Sequence, residues 1–173
     1  MTHHTGEAKQ TSTEVSPELD KGRGVGTLER IWVKRAKGGP MDVVETAILE
    51  VDNGLRGNAH RGRGGKRQVT IISQARWTEL MDALSADLPP SARRANLMVS
   101  GIDLENSRGR VLRVGDARLK INGETRPCEQ MEEAHAGLQE LMRERWGGGA
   151  FAEVLDGGEI RLGDVVDWEE LNH

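Results

Sequence analysis

The chain has a single cysteine, Cys128, in the run Gly123-Glu124-Thr125-Arg126-Pro127-Cys128-Glu129. With no second cysteine it cannot close a disulfide within the chain. That leaves three roles for the thiol: a small buried hydrophobe, a nucleophile or a soft metal ligand. Arg126 favours a thiolate and Glu129 opposes it, while Pro127 stiffens the approach and removes a backbone donor. A thiolate here would suit persulfide chemistry or a soft transition-metal centre.

Two further groups of residues could hold an anion. Arg94 and Asn96 stand two apart in Arg94–Val99, which alternates like a strand, with Ala95, Leu97 and Val99 on one side and Arg94, Asn96 and Met98 on the other. A guanidinium and an amide on one face make a donor-rich patch for a phosphate or carboxylate, or else a solvated strand face. The loop from Arg56 to Arg67 carries Arg56, His60, Arg61, Arg63, Lys66 and Arg67 among four glycines, beside Asn58. Glycines let the backbone approach an anion closely and the cations would hold it, or else the segment is a mobile solvated loop. The Lys-Ser or Lys-Thr pair of a P-loop is missing.

Ordinary metal and serine chemistry find no support. There is no paired-cysteine motif and no His-Glu-x-x-His, and His60, His135 and His173 are scattered, so no zinc site is expected. His3 and His4 read as solvated tail residues. Glu132 and Glu133 fall where they favour a helix N-terminus. Ser73 and Ser100 read as cap and turn residues.

The elements that must position these groups are short. Residues 1–24 are polar, without apolar period, and read as a disordered lead-in to one domain over 25–170. Leu28–Val33, Val43–Val51 and Val69–Ile72 read as strands. Ser73 caps a helix in which Trp77, Leu80, Met81, Leu84 and Leu88 recur at helical spacing until Pro89-Pro90 stops it. Val111–Val114, Gly115-Asp116 and Ala117–Ile121 predict a hairpin. Ala134, Leu138, Leu141, Met142 and Arg145 predict a second amphipathic helix, ended by three glycines. Phe151–Leu155 and Ile160–Trp168 complete the strands, the latter interrupted at Gly163-Asp164. The pattern predicts an α+β fold, mostly β: a twisted closed barrel with two short helices.

Composition narrows the function. A formal charge of −4 argues against a general nucleic-acid binder, and Phe151 with four tryptophans makes a base-stacking platform improbable. No apolar run reaches the length of a membrane span, no export signal opens the chain, and one cysteine agrees with a reducing cytoplasm.

Several motifs together resemble the MOSC domain, the family named after the C-terminal domain of molybdenum cofactor sulfurases. They are Gly54-Leu55-Arg56-Gly57, Arg67-Gln68-Val69-Thr70, Arg94-Ala95-Asn96-Leu97, Ser100-Gly101-Ile102-Asp103-Leu104, Arg126-Pro127-Cys128 and Gly158-x-Ile160-Arg161-x-Gly163-Asp164. Each is weak alone; the specificity lies in their order, which spans about residues 26–168. The resemblance implies a barrel of MOSC type and a molybdenum cofactor, a phosphate-tailed pterin with a dithiolene-bound metal. It implies that Cys128 ligates molybdenum or carries sulfur, and that Arg94 and Asn96 meet the anionic cofactor. Arg56, Asn58, His60, Arg67, Thr70 and Arg126 are the further cofactor contacts it suggests. The implied activity is reduction of N-hydroxylated compounds, served by a small-molecule substrate and a separate electron-transfer protein. The alternatives are a sulfur carrier loaded by a separate cysteine desulfurase and a non-catalytic anion- or metabolite-binding module. One departure is Asn58, where an acidic residue is common after the loop glycine; an amide has no proton to transfer there. No aminotransferase-like domain, second barrel or redox module accompanies the motifs, which fits a stand-alone bacterial-type member.

Overall fold

The computed structural model describes residues 25–59 and 65–170. The expected lead-in over 1–24 and residues His3, His4, His60, Arg61, Arg63 and His173 lie outside them. The strands are β1 (Val25–Lys34), β2 (Met41–Val44), β3 (Thr46–Glu50), β4 (Gly54–Leu55), β5 (Val69–Ser73), β6 (Leu97–Ser100), β7 (Val111–Val114), β8 (Ala117–Glu124), β9 (Ala150–Asp156), β10 (Gly158–Arg161) and β11 (Val165–Trp168). Helix α1 spans Gln74–Leu84, α2 Glu129–Ala134 and α3 Leu138–Met142, and a 3-10 turn covers Pro90–Arg93.

Seven strands close a barrel in the order β1-β6-β5-β9-β8-β7-β11, with β11 returning to β1. Only the β5–β6 pair is parallel; the other neighbours run antiparallel. A parallel pair cannot be joined by a hairpin, and here α1 and the 3-10 turn make the crossover. The far half of β1 also pairs with β2 (Ile31–Lys34 against Met41–Val44), and β10, β3 and β4 form a small second sheet.

Strand alternation fills the barrel. Ala117, Leu119 and Ile121 of β8 and Ala150, Ala152 and Val154 of β9 point inward with Leu28, Ile31, Val69, Ile71, Leu97 and Val99. Residues of the opposite parity face outward. Trp32, Ile72, Ala95 and Met98 make a separate small cluster against the outside of the wall. The helices bury Trp77, Leu80, Met81, Met131, Leu138 and Met142 among themselves.

The predicted barrel and hairpin are present, and several boundaries move. The run 43–51 is two strands, because the Glu45 carbonyl accepts the Leu162 N–H and the chain changes sheet there. The run 160–168 divides where expected, at Gly163-Asp164: β10 joins β3, whereas β11 joins β1 and β7. Ser73 does cap α1, its hydroxyl accepting the Arg76 N–H at 3.2 Å. That helix ends at Leu84, where Ser85 turns left-handed, so Leu88 lies beyond it. The second helix is two, broken at His135–Gly137, where Gly137 takes φ 88. Arg94 precedes its expected strand; it closes the 3-10 turn in a left-handed conformation, φ 61.

Candidate functional site

On the outer face of the β5 and β6 wall lies a cavity of about 110 Å³, lined by Lys34, Met41, Asn58, Ala59, Arg67, Gln68, Thr70, Arg94 and Asn96. Five of the sequence-derived candidates meet there: Asn58, Arg67, Thr70, Arg94 and Asn96. Arg94 and Asn96 do share one site, but a left-handed turn delivers the arginine, not strand alternation.

Asn96 is buried and holds the floor together. Its Oδ1 accepts the Thr70 N–H at 3.1 Å, and its Nδ2 donates to Trp32 O at 3.3 Å and Asn58 Oδ1 at 3.1 Å. Its backbone N–H donates to Thr70 O at 3.0 Å. Both amide hydrogens are therefore engaged within the protein. Asn58 Oδ1 also accepts the Lys34 N–H at 2.8 Å, fixing the start of the Gly-rich loop to the end of β1.

The charge in this cavity has one sign. Among the described residues, Lys34, Arg67 and Arg94 line it and no Asp or Glu does. Among the described residues, none of the three forms an ion pair with a carboxylate; Arg94 Nη2 donates instead to the Gly39 carbonyl at 2.6 Å. Arg67 lies over the Phe151 ring, 5.9 Å from its centroid. Burial pushes the Lys34 pKa below its ordinary value, and the positive Arg94, Arg67 and Lys37 push it the same way. An anion entering the cavity would relieve both effects.

Cys128 is exposed, which removes the buried-hydrophobe reading of the thiol. It precedes α2, with Sγ 3.9 Å from Gln130 Oε1, and it does not line the cavity. Arg126 is exposed beside it. The link between thiol loop and cavity is Arg93, next to Arg94. Its buried guanidinium donates through Nε to Gly148 O at 3.0 Å and through Nη2 to Thr125 O at 3.3 Å and Arg126 O at 3.5 Å. Arg56 turns elsewhere: it pairs with Glu50 at 2.7 Å and lines a separate groove with Arg35 and Gly57.

Sequence reasoning missed Lys34, Gln68 and Arg93. Lys34 looked like the polar end of an apolar strand, and its companions Arg67 and Arg94 are distant in sequence. Gln68, inside a motif already singled out, is buried and bridges Val154 N–H and Gly65 O. The Arg93-Arg94 pair was the available signal for Arg93, but a strand starting at Arg94 left it out. Among the described residues no cluster of His, Cys, Asp and Glu could hold a metal ion, and no helix is long and apolar enough to cross a membrane.

The family model of the MOSC domain matches residues 35–167. No curated protein matches the chain by sequence. Among solved structures, the YUAD protein from Bacillus subtilis superposes with a TM-score of 0.69 at 18% identity, over 86% of this chain and 97% of that one. YiiM from Escherichia coli gives 0.64 at 14% identity, over 84% and 71% of the two chains. YiiM from Geobacillus stearothermophilus gives 0.67 at 14%, over 84% and 75%. At these identities the likeness is one of fold.

Proposed function

The chain belongs to the MOSC-domain family, and from that premise we propose that it binds a molybdenum cofactor, with Cys128 as the thiolate ligand and the Lys34–Arg67–Arg94 cavity as the seat of the phosphate tail. The observation that carries this reading is the cavity that, among the described residues, is lined by three cations and no carboxylate. Its residues fit an oxyanion: two guanidiniums offer forked donors, and the lysine a compact charge. At about 110 Å³ the cavity suits an oxyanion group better than a fused ring, since whole-ligand pockets run to roughly 300–1,000 Å³. A pterin would therefore extend out of it. The exposed thiol suits a soft metal approached from outside.

When bound, such a centre supplies two-electron oxygen-atom chemistry, which matches reduction of an N-hydroxylated small molecule. The chain's own residues do the rest. Arg94 and Arg67 bind and orient the anionic tail, and Lys34 adds charge that the tail stabilises. Asn96, Thr70 and Asn58 keep the cavity floor in one arrangement. Asn58 accepts hydrogen bonds there and carries no transferable proton. Molybdenum content of protein purified from a host that makes the cofactor tests the reading. We expect near-stoichiometric metal in the wild type and little in Cys128→Ala; wild-type metal in that variant removes the ligand role.

A second reading draws on one specific fact: the thiol is exposed and stands outside the cavity lining. Cys128 would then attack the outer sulfur of a cysteine desulfurase persulfide. The donor's S–S bond breaks, the donor leaves as a thiolate, and Cys128 keeps the sulfane sulfur. A gain of one sulfur atom on Cys128 by mass, without bound molybdenum, favours this reading over the first.

A further inference from the structure

Arg93 is only 9% exposed. Its acceptors are the carbonyl oxygens of Gly148, Thr125 and Arg126, all neutral. Among the described residues no carboxylate pairs with it. A buried guanidinium without a counter-charge costs free energy that an apolar side chain in its place would not. The surroundings are shaped for it nonetheless. A Cβ on Gly148 would lie 2.2 Å from the Thr125 carbonyl oxygen and 3.1 Å from Arg93 Nη2, so only glycine leaves the space. Burial lowers the Arg93 pKa most; the Cys128 thiol, when ionised, would raise it, and Arg67 lowers it. The other charges beside the thiol, Arg126 and Glu129, are exposed, opposite in sign and screened by water. Arg93 is shielded from solvent, so its field at the thiol loop persists.

We propose that Arg93 is a positioning and specificity-determining residue for Cys128: it clamps the Thr125–Arg126 backbone, and its unpaired charge draws anionic reagents to the thiol in preference to neutral ones. This rests on Cys128 being the reacting group. It narrows that group's partners to anions, such as an anionic sulfane-sulfur donor or an oxyanion-bearing cofactor.

The test compares alkylation of Cys128 in the full chain by iodoacetate, an anion, and by iodoacetamide, its neutral analogue. Both react with the thiolate and expel iodide, so the ratio of their rates cancels the thiolate fraction and reports local potential. We expect the native ratio to exceed that of the urea-unfolded chain by about two- to tenfold. Arg93→Gln lowers it towards the unfolded value, and Arg93→Lys restores most of it. A merely structural role would move overall reactivity and leave the ratio alone. An unchanged ratio in folded Arg93→Gln overturns the proposal. Should that variant not fold, a wild-type ratio no higher than that of the unfolded chain overturns it as well. No cofactor enters the measurement. Loss of the molybdenum reading through Cys128→Ala therefore stands apart from loss of this one.

Discussion

Two regions of this barrel handle positive charge in opposite ways. At one end Arg118 is fully matched: Nε and Nη2 reach the two Glu169 oxygens at 2.7 and 2.8 Å, and Nη1 reaches Asp156 at 2.8 Å. Those hydrogen bonds raise the Arg118 pKa and, seen from the partner, lower that of Glu169. At the other end Lys34, Arg67 and Arg94 crowd one cavity with no carboxylate among the described residues that line it. The first arrangement is complete in the free protein. The second strains the free protein and is relieved by a ligand. A net charge of −4 conceals both, which is why total charge says little about a local site.

The sharpest way to break the contrast is to remove the scaffold under the cavity. Asn96→Ala leaves several buried groups of β1 and β5 unpaired and should cost about 3 kcal/mol, read as a fall in the urea midpoint. Adding the missing carboxylate is the next largest intervention. Ala59→Glu puts an anion into the cavity lining and should weaken inorganic phosphate binding, measured by calorimetry, by about tenfold or more. An unchanged affinity would mean that the three cations are not the anion site.

Arg94→Met removes one forked donor and should weaken phosphate by roughly tenfold, the worth of a charge-assisted hydrogen bond. Lys34→Met should weaken it less and raise the melting temperature of the ligand-free protein. The sign follows from the depressed pKa of Lys34. A lysine depressed in the fold opposes folding wherever both states are charged, and this opposition is full below the folded value. It fades as pH rises through the folded value towards the ordinary 10.5. The stability gain of Lys34→Met over wild type should therefore shrink over the pH range below about 10.5; a gain that grows there contradicts the assignment. The smallest effect belongs to the matched end. Arg118→Gln should leave phosphate affinity unchanged and move melting least of the set, because exposed ion pairs contribute little.

The barrel was legible because inward and outward residues alternate cleanly, as in Ala117, Leu119 and Ile121. The cation-rich loop and the Arg94–Asn96 pair were legible from residue type and order. The break at Gly163-Asp164 was legible from its turn pair, whereas the break at Glu45 was missed because it depends on which sheet a strand joins, a choice made by distant partners. The turn at Arg94 was hidden for a similar reason: its left-handed backbone continues the 3-10 turn, and the apolar alternation after it looked like strand throughout. Lys34 and Arg93 gain meaning only when remote segments meet. Cys128 stood out by being alone, whereas its exposure, at the start of α2, depends on how the fold packs around it.

The barrel's strand count has a geometric corollary. In a closed ring of strands whose directions strictly alternate, the number must be even; seven is odd. One neighbouring pair must therefore break the alternation, and that defect is the β5–β6 seam. No tight hairpin can stitch it, so the chain must detour over the outside before coming back. Arg93 and Arg94 ride on that detour. The ring's parity thus supplies a stretch of backbone free of the sheet ladder, on which a pair of arginines can be aimed in two directions at once.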